Sequence, residues 1–279
     1  MKRKVKTKVK GFRTTDGAGV KLVRVLGNLT TKEFDPILML DSFDSINPDD
    51  YTAGFPMHPH RGIETISYVS RGKMVHRDSL GNEAGISDGE VQWMNSGSGI
   101  MHEEMVPAAE RLLGVQLWLN LPAKDKMSKP SYNSIKNEDI KEIEIEGGKI
   151  RLLAGKYGEH EGYKGDYLSM DYYDIHLNAD AEVTLTMEED DSVMVFTLLG
   201  DVYIDGEHIE EKTAVKLTEG DSLTIKNGNE KAQVLYMNSR ALNEPVAWAG
   251  PIVMNTQEEL QKAFSELRNN TFIKEKAEY

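Results

Sequence analysis

The 279-residue chain contains no cysteine. Disulfides and thiolate metal sites are therefore impossible, and any bound metal must take imidazole and carboxylate ligands. The same absence fits a reducing cytoplasm, which is the expected location. No stretch approaches the ~18 uninterrupted apolar residues that a membrane-spanning helix needs, so no membrane association is expected. The N-terminal MKRKVKTKVKGFR has no apolar core behind its charges and is not expected to act as a secretory signal. Basic residues are in the minority, 33 Lys and Arg against 46 Asp and Glu, for a net charge of -13. General nucleic-acid binding is not expected on that balance, because phosphate contacts need clustered cations. Helical periodicity is scarce as well.

What is present describes a globular protein. Hydrophobic residues make up 39% and charged residues 28%, and the length suits two modest domains or one large one. The charge is uneven. Residues 1–24 carry nine basic side chains (Lys2, Arg3, Lys4, Lys6, Lys8, Lys10, Arg13, Lys21, Arg24) and one acid, Asp16, which leaves -21 for the remainder. A basic tail could meet nucleic acid or acidic lipid. K-V-K-T-K-V-K alternates with period two, however, and predicts a lysine-guarded edge strand.

Period-two segments run through the chain. ETISYVSRGKMVHRD (64–78) reads as two strands around Arg71-Gly72, EVQWMNSG (90–97) follows a Ser-Asp-Gly turn, and GVQLWLNLP (114–122) sets Val115, Leu117 and Leu119 against Gln116, Trp118 and Asn120. PAKDKMSKPSYNSI (122–135) is polar, carries Pro122 and Pro130, lacks periodicity and reads as a linker. Strand patterns resume at 149–155, 167–177, 182–187, 192–206, 213–227 and 232–239. Turns at about 8–12-residue spacing predict an all-β sandwich or barrel. SDGEVQWM and TEGDSLTI look like the same turn-and-strand in two copies of one barrel unit. One helix is predicted near the end: Thr256 and Glu259 form a capping box, and Leu260, Ala263, Phe264 and Leu267 make an apolar stripe for packing on a barrel.

GFPMHPHRGIE (54–64) spaces His58 and His60 two apart, with Glu64 four further on. In one continuous strand His58, His60, Gly62 and Glu64 would share a face. GSGIMHEEM (97–105) supplies a second pair, His102 and Glu104, again on one face, after Gly97 and Gly99, which allow a close backbone approach. Two neighbouring barrel strands would bring the pairs together. Three imidazoles and one carboxylate, Glu64 or Glu104, suit Fe, Mn, Cu, Ni or Zn, and carboxylate-imidazole sets with open positions serve oxygen chemistry. His76, His160, His176 and His208 lack partners at matching spacing and read as surface or internally satisfied histidines.

The spacing G-x3-H-x-H-x3-E-x7-G, from Gly54 to Gly72, resembles the first cupin motif. HPHRGIETISYVSRGKMVHRDSLGNEAGISDGEVQWMNSGSGIMHEEM resembles the pirin family more specifically, as do DPILMLDSF (35–43), GVQLWLNLP (114–122) and LNEPVAWAGPIVMNT (242–256). The resemblance spans nearly the whole chain. It implies a bicupin of two antiparallel β-barrel (jelly-roll) domains, a metal-binding one over 1–130 and a metal-free one over 131–279 that ends in the helix. The implied ligands of a single divalent transition metal, iron foremost, are His58, His60, His102 and Glu104. The resemblance thus prefers Glu104 to Glu64, which is left to support the strand or stand behind the ligands. The second-motif histidine lies two residues later after Gly97 than in ordinary cupins, as in pirins.

Two activities follow from the resemblance. One is a flavonol 2,4-dioxygenase (quercetinase) acting on quercetin or a related small aromatic compound with O2, in which Glu104 loosens to accept the hydroxyl proton as general base. The other is a non-catalytic, redox-sensing transcriptional cofactor that binds a protein partner. Phe43, Met57 and Trp93 are candidate walls of the substrate site, and a monomer is expected.

Overall fold

Alternating sequence and frequent turn residues become strands almost throughout. The computed structural model describes residues 1–275. The chain forms two compact units, and it passes between them more than once. One unit comprises Met1–Phe12, Lys32–Pro36 and Asn137–Ala241, and the other comprises Arg13–Thr31, Ile37–Lys136 and the chain from Leu242 onward. Sequence reading expects one boundary at 130/131. The observed division instead places the first strand with the later barrel and the closing helix with the earlier one.

In the first unit a seven-stranded sheet runs in the order Val5–Lys10, Thr213–Leu217, Ser192–Leu199, Ala232–Ser239, Met170–Leu177, Gly148–Ala154, Lys141–Ile145. A four-stranded sheet holds Glu182–Thr186, Ser222–Asn227, Val202–Ile204 and Glu207–Ile209. Their alternate residues share one apolar core that includes Ile150, Ile175, Val195, Val215, Leu223 and Ile225. Each such fully buried aliphatic side chain contributes roughly 1.5–3 kcal/mol. The K-V-K-T-K-V-K segment is an edge strand, as its alternation predicts, paired only with Thr213–Leu217. Lys6, Lys8 and Lys10 pair with Glu33, Glu207 and Glu210. Exposed pairs of this kind add little stability, but they leave these lysines matched to carboxylates.

The second unit has a seven-stranded sheet in the order Ser131–Ile135, Glu90–Asn95, Ile63–Arg71, Leu112–Asn120, Ile37–Ser45, Val20–Leu26, Phe12–Asp16. Its four-stranded sheet is ordered Phe55–His60, Ile100–Met105, Lys73–Asp78, Glu83–Ser87. A core of Val20, Phe43, Phe55, Val69, Met74 and Ile86 draws on both sheets. The segment 122–135, expected as a linker, contains the Ser131–Ile135 strand, with Tyr132 opposite Met94. Backbone pairing with a neighbouring strand orders it without side-chain alternation, and Pro130, which has no N–H to donate, falls just before it.

The helix forms at Gln257–Arg268 with the expected capping box: Thr256 accepts from the Glu259 N–H and Glu259 from the Thr256 N–H. Leu260 and Ala263 are buried against Ala247, Ile252, Met254 and Phe272, within the second unit.

Candidate metal centre

His58 and His60 lie on the Phe55–His60 strand, and the antiparallel Ile100–Met105 strand sets His102 directly opposite His58. Period-two alternation turns His58 and His60 to one side. The three rings meet, with centroids 4.8 Å apart for His58 and His60, 4.3 Å for His58 and His102, and 5.0 Å for His60 and His102. One ligand nitrogen from each lies within 4.8 Å of the others, and this is the only such group of His, Asp or Glu among the described residues. His60 and His102 are buried, and His58 is partly exposed.

The expectation that Glu64 shares the histidine face is not met. The strand stops at His60, Gly62 turns the chain with φ +79°, and Glu64 stands on the next strand, Ile63–Arg71, in the other sheet. A Cβ at Gly62 would lie 1.9 Å from the Val253 carbonyl oxygen, so the turn admits only glycine. Glu104 is buried in the same barrel interior. Its carboxylate accepts hydrogen bonds from Gln92 Nε2 and, at 3.0 and 3.2 Å, from Gln116 Nε2, and it lies outside the three-histidine group.

The surroundings of the ring nitrogens bear on what the cluster could hold. His58 Nδ1 lies 2.8 Å from the Pro56 carbonyl oxygen, and His60 Nδ1 lies 3.0 Å from that of Pro251. A carbonyl only accepts, so each Nδ1 carries the hydrogen and each neutral ring is bare at Nε2. Those two Nε2 atoms stand 3.1 Å apart. His102 Nε2 is buried with no hydrogen-bond partner. With both rings neutral, two facing lone pairs and an orphaned third nitrogen are unfavourable in a protein interior and favourable around a cation. The 3.1 Å spacing matches nitrogens that share one ion at the usual ~2.0–2.1 Å. Burial, reinforced by the neighbouring His58, lowers the pKa of His60 to about 3. Burial and the adjacent His60, His58 and His76 hold His102 well below its ordinary value. Both rings are therefore neutral, the form that binds metal. The residues fit a borderline first-row divalent ion.

A cavity of about 600 Å³ opens beside the histidines. Met39, Phe55, Trp118 and Trp248 supply its apolar wall, and Gln116, the partner of Glu104, also lines it. Trp118 packs edge-on to His60 at 5.1 Å and tilts against Trp248 at 5.5 Å. A charged side is formed by Asp16, Arg24 and Asp41, with Arg24 Nε and Nη2 bidentate to Asp41 at 2.9 and 2.7 Å. Phe43, Met57 and Trp93, the expected walls, are not among the lining residues. Phe43 belongs to the core cluster, Trp93 is buried elsewhere, and Met57, on the Phe55–His60 strand, is exposed.

Sequence reading passed over several residues that build this site. Pro251 comes from a segment almost two hundred residues from His60, and nothing local signals it. His76, expected to be a surface or satisfied histidine, is fully buried, bonded to Asp78 and against His102. The pattern His76-x-Asp78 was the available signal. His160 and His208 are exposed, His176 is partly so, and the latter two are bonded to Asp201 and Asp174.

Two antiparallel barrels, one with paired histidines on adjacent strands at its mouth, define a bicupin. Residues 19–119 match the family model described as Pirin, and residues 172–273 match the Pirin C-terminal cupin domain. The chain belongs to the pirin family. It is 39% identical over 269 residues to a Pseudomonas aeruginosa protein named provisionally as a quercetin 2,3-dioxygenase, covering 93% of this chain and 94% of that one. Human pirin is 35% identical over 277 residues, with 96% and 93% covered. Among solved structures, a quercetin 2,3-dioxygenase from Acinetobacter baumannii superposes with a TM-score of 0.89 at 30% identity, covering 98% of this chain and 99% of that one.

Proposed function

We propose that the protein is a metal-dependent dioxygenase acting on flavonols such as quercetin or related small hydroxylated aromatics. The observation that carries this reading is the convergence of three imidazoles, two of them buried, beside an aromatic-walled cavity. His58, His60 and His102 would hold one divalent transition metal, iron foremost with Mn, Ni, Cu or Zn as alternatives, and Glu104, which stands outside the converging histidine group, is the fourth ligand that the family pattern supplies. When bound, the metal supplies Lewis acidity that lowers the pKa of a substrate hydroxyl, together with a site for oxygen chemistry.

The chain's own side chains do the rest. Trp118 and Trp248 offer flat surfaces against which a planar substrate packs, and such contacts orient aromatic rings. The Arg24–Asp41 pair presents a donor and acceptors to hydroxyl groups at the far side of the cavity. Glu104 takes the substrate's hydroxyl proton on a carboxylate oxygen, and Gln116 and Gln92 hold that carboxylate in place. The test is aerobic turnover of quercetin by protein loaded in turn with Fe, Mn, Ni and Cu, followed by loss of flavonol absorbance and release of carbon monoxide. Turnover is expected in at least one form; none in any fully loaded form overturns the reading.

A further inference from the structure

We infer that His76 and Asp78 are positioning residues that fix the tautomer of His102, and so decide whether its Nε2 is free to bind a metal. The inference rests on the three-histidine metal reading above, but its geometry is independent of any substrate.

The strand Lys73–Asp78 lies beside Ile100–Met105, with Asp78 opposite His102 and His76 opposite Glu104. His76 is fully buried, and its ring stacks on Tyr132 with centroids 4.0 Å apart and planes 13° from parallel. Its Nε2 is 2.8 Å from Asp78 Oδ2, and its Nδ1 is 3.3 Å from His102 Nδ1. Asp78 accepts three further bonds, from the Leu80 N–H at 2.9 Å, the Asn82 N–H at 3.1 Å and Asn82 Nδ2 at 2.9 Å. A carboxylate receiving four donors is an acceptor only.

The remaining assignments follow along the chain of contacts. His76 Nε2 faces the Asp78 carboxylate and donates to it, so in the neutral form of this ring the lone pair is on Nδ1. That lone pair can accept only if His102 Nδ1 bears the hydrogen. His102 is then bare at Nε2, the atom that has no hydrogen-bond partner. Reversing either ring would put a hydrogen on His102 Nε2 and block ligation. His58 and His60 are oriented by backbone carbonyls, which no substitution at those acceptors removes. His102 alone depends on side chains. Partners of this kind orient a ligating imidazole and raise its basicity, and their loss typically weakens metal binding about 10–100-fold.

The experiment reads tautomers in the metal-free protein by long-range ¹H–¹⁵N correlation, and metal affinity by competition with a chelator. Wild type is expected to show His102 protonated on Nδ1 and bare on Nε2, with His76 protonated on Nε2. His76→Leu, which removes the acceptor, is expected to bind Fe(II) or Ni(II) about 10–100-fold more weakly. His76→Gln, whose Oε1 can accept from His102 Nδ1, is expected to restore most of the loss, and Asp78→Asn is expected to shift the tautomer populations of both rings. A hydrogen on His102 Nε2 in the wild-type protein overturns the proposal, as does wild-type affinity in His76→Leu. Equal weakening in His76→Leu and His76→Gln, with both folded by thermal melting, reduces His76 to packing and overturns it too. If His76→Leu does not fold, the wild-type and Asp78→Asn spectra still decide. Failure of quercetin turnover leaves these readouts untouched, so the two readings can fail separately.

Discussion

His58 and His102 are direct register partners on two antiparallel strands, with ring centroids 4.3 Å apart. One backbone pairing thus unites two motifs more than forty residues apart. It also makes each ring dependent on the register of the other's strand, because a one-residue slip would turn a ligand to the opposite face.

Substituting either residue should therefore remove the ion. His58→Ala and His102→Ala are expected to lower metal content from about one equivalent to near zero, each removing one of the three imidazoles whose nitrogens converge. Elemental analysis of purified, folded variants checks this. Full metal occupancy in either variant would refute the ligand assignment.

Arg61, next to His60 in sequence, ties the metal loop to the closing segment. Its buried guanidinium donates to the Ser98 carbonyl at 2.7 Å and the Phe272 carbonyl at 2.9 Å, pairs with Glu266 at 2.8 Å and lies 4.2 Å over the Phe272 ring. Removing one partner of a buried pair typically costs about 3–5 kcal/mol. Arg61→Met is expected to fall in that range by urea denaturation and to weaken metal binding through His60. A loss below about 1 kcal/mol would place the contact among ordinary surface pairs.

The metal-free protein should lose stability in acid. Unfolded His60 titrates near its ordinary 6.5, while native His60 takes a proton only near 3. Between those values the unfolded chain binds more protons, so this contribution is complete above pH 6.5 and is lost as the pH falls toward 3. Denaturation of chelator-treated protein at pH 7.5, 6 and 5 should show the decline, and His60→Gln should flatten it. An unchanged slope in His60→Gln would show that other groups carry the acid sensitivity.

Trp248 lines the cavity and packs against Trp118. Trp248→Ala is expected to leave metal content unchanged and raise the KM for quercetin about tenfold, as removal of an aromatic contact worth roughly 1.4 kcal/mol would do. Steady-state kinetics with parallel metal analysis checks this. An unchanged KM would show that the substrate does not rest on this wall.

Much of this fold was legible because strand alternation and turn chemistry are local. The edge strand of alternating lysines, the two strands around Arg71-Gly72, and the Thr256–Glu259 capping box all form where the pattern places them. Ser131–Ile135 was not legible, since its order comes from pairing with Glu90–Asn95 rather than from its own side chains. Glu64 was misplaced because the period-two argument assumes an unbroken strand, and the turn at Gly62 depends on packing against Val253.

By itself, then, the sequence determined the all-β class, the chemistry available to a cysteine-free site, and the two histidine pairs that compose it. Only tertiary structure decided that three imidazoles converge, that Glu104 faces Gln92 and Gln116, that Pro251 and Arg61 bind the closing segment to the metal loop, and that His76 stands behind His102. The reason is physical. Side-chain direction along one strand follows from backbone geometry within a few residues, whereas strand register and the partner at each ring nitrogen depend on contacts between segments far apart in the chain.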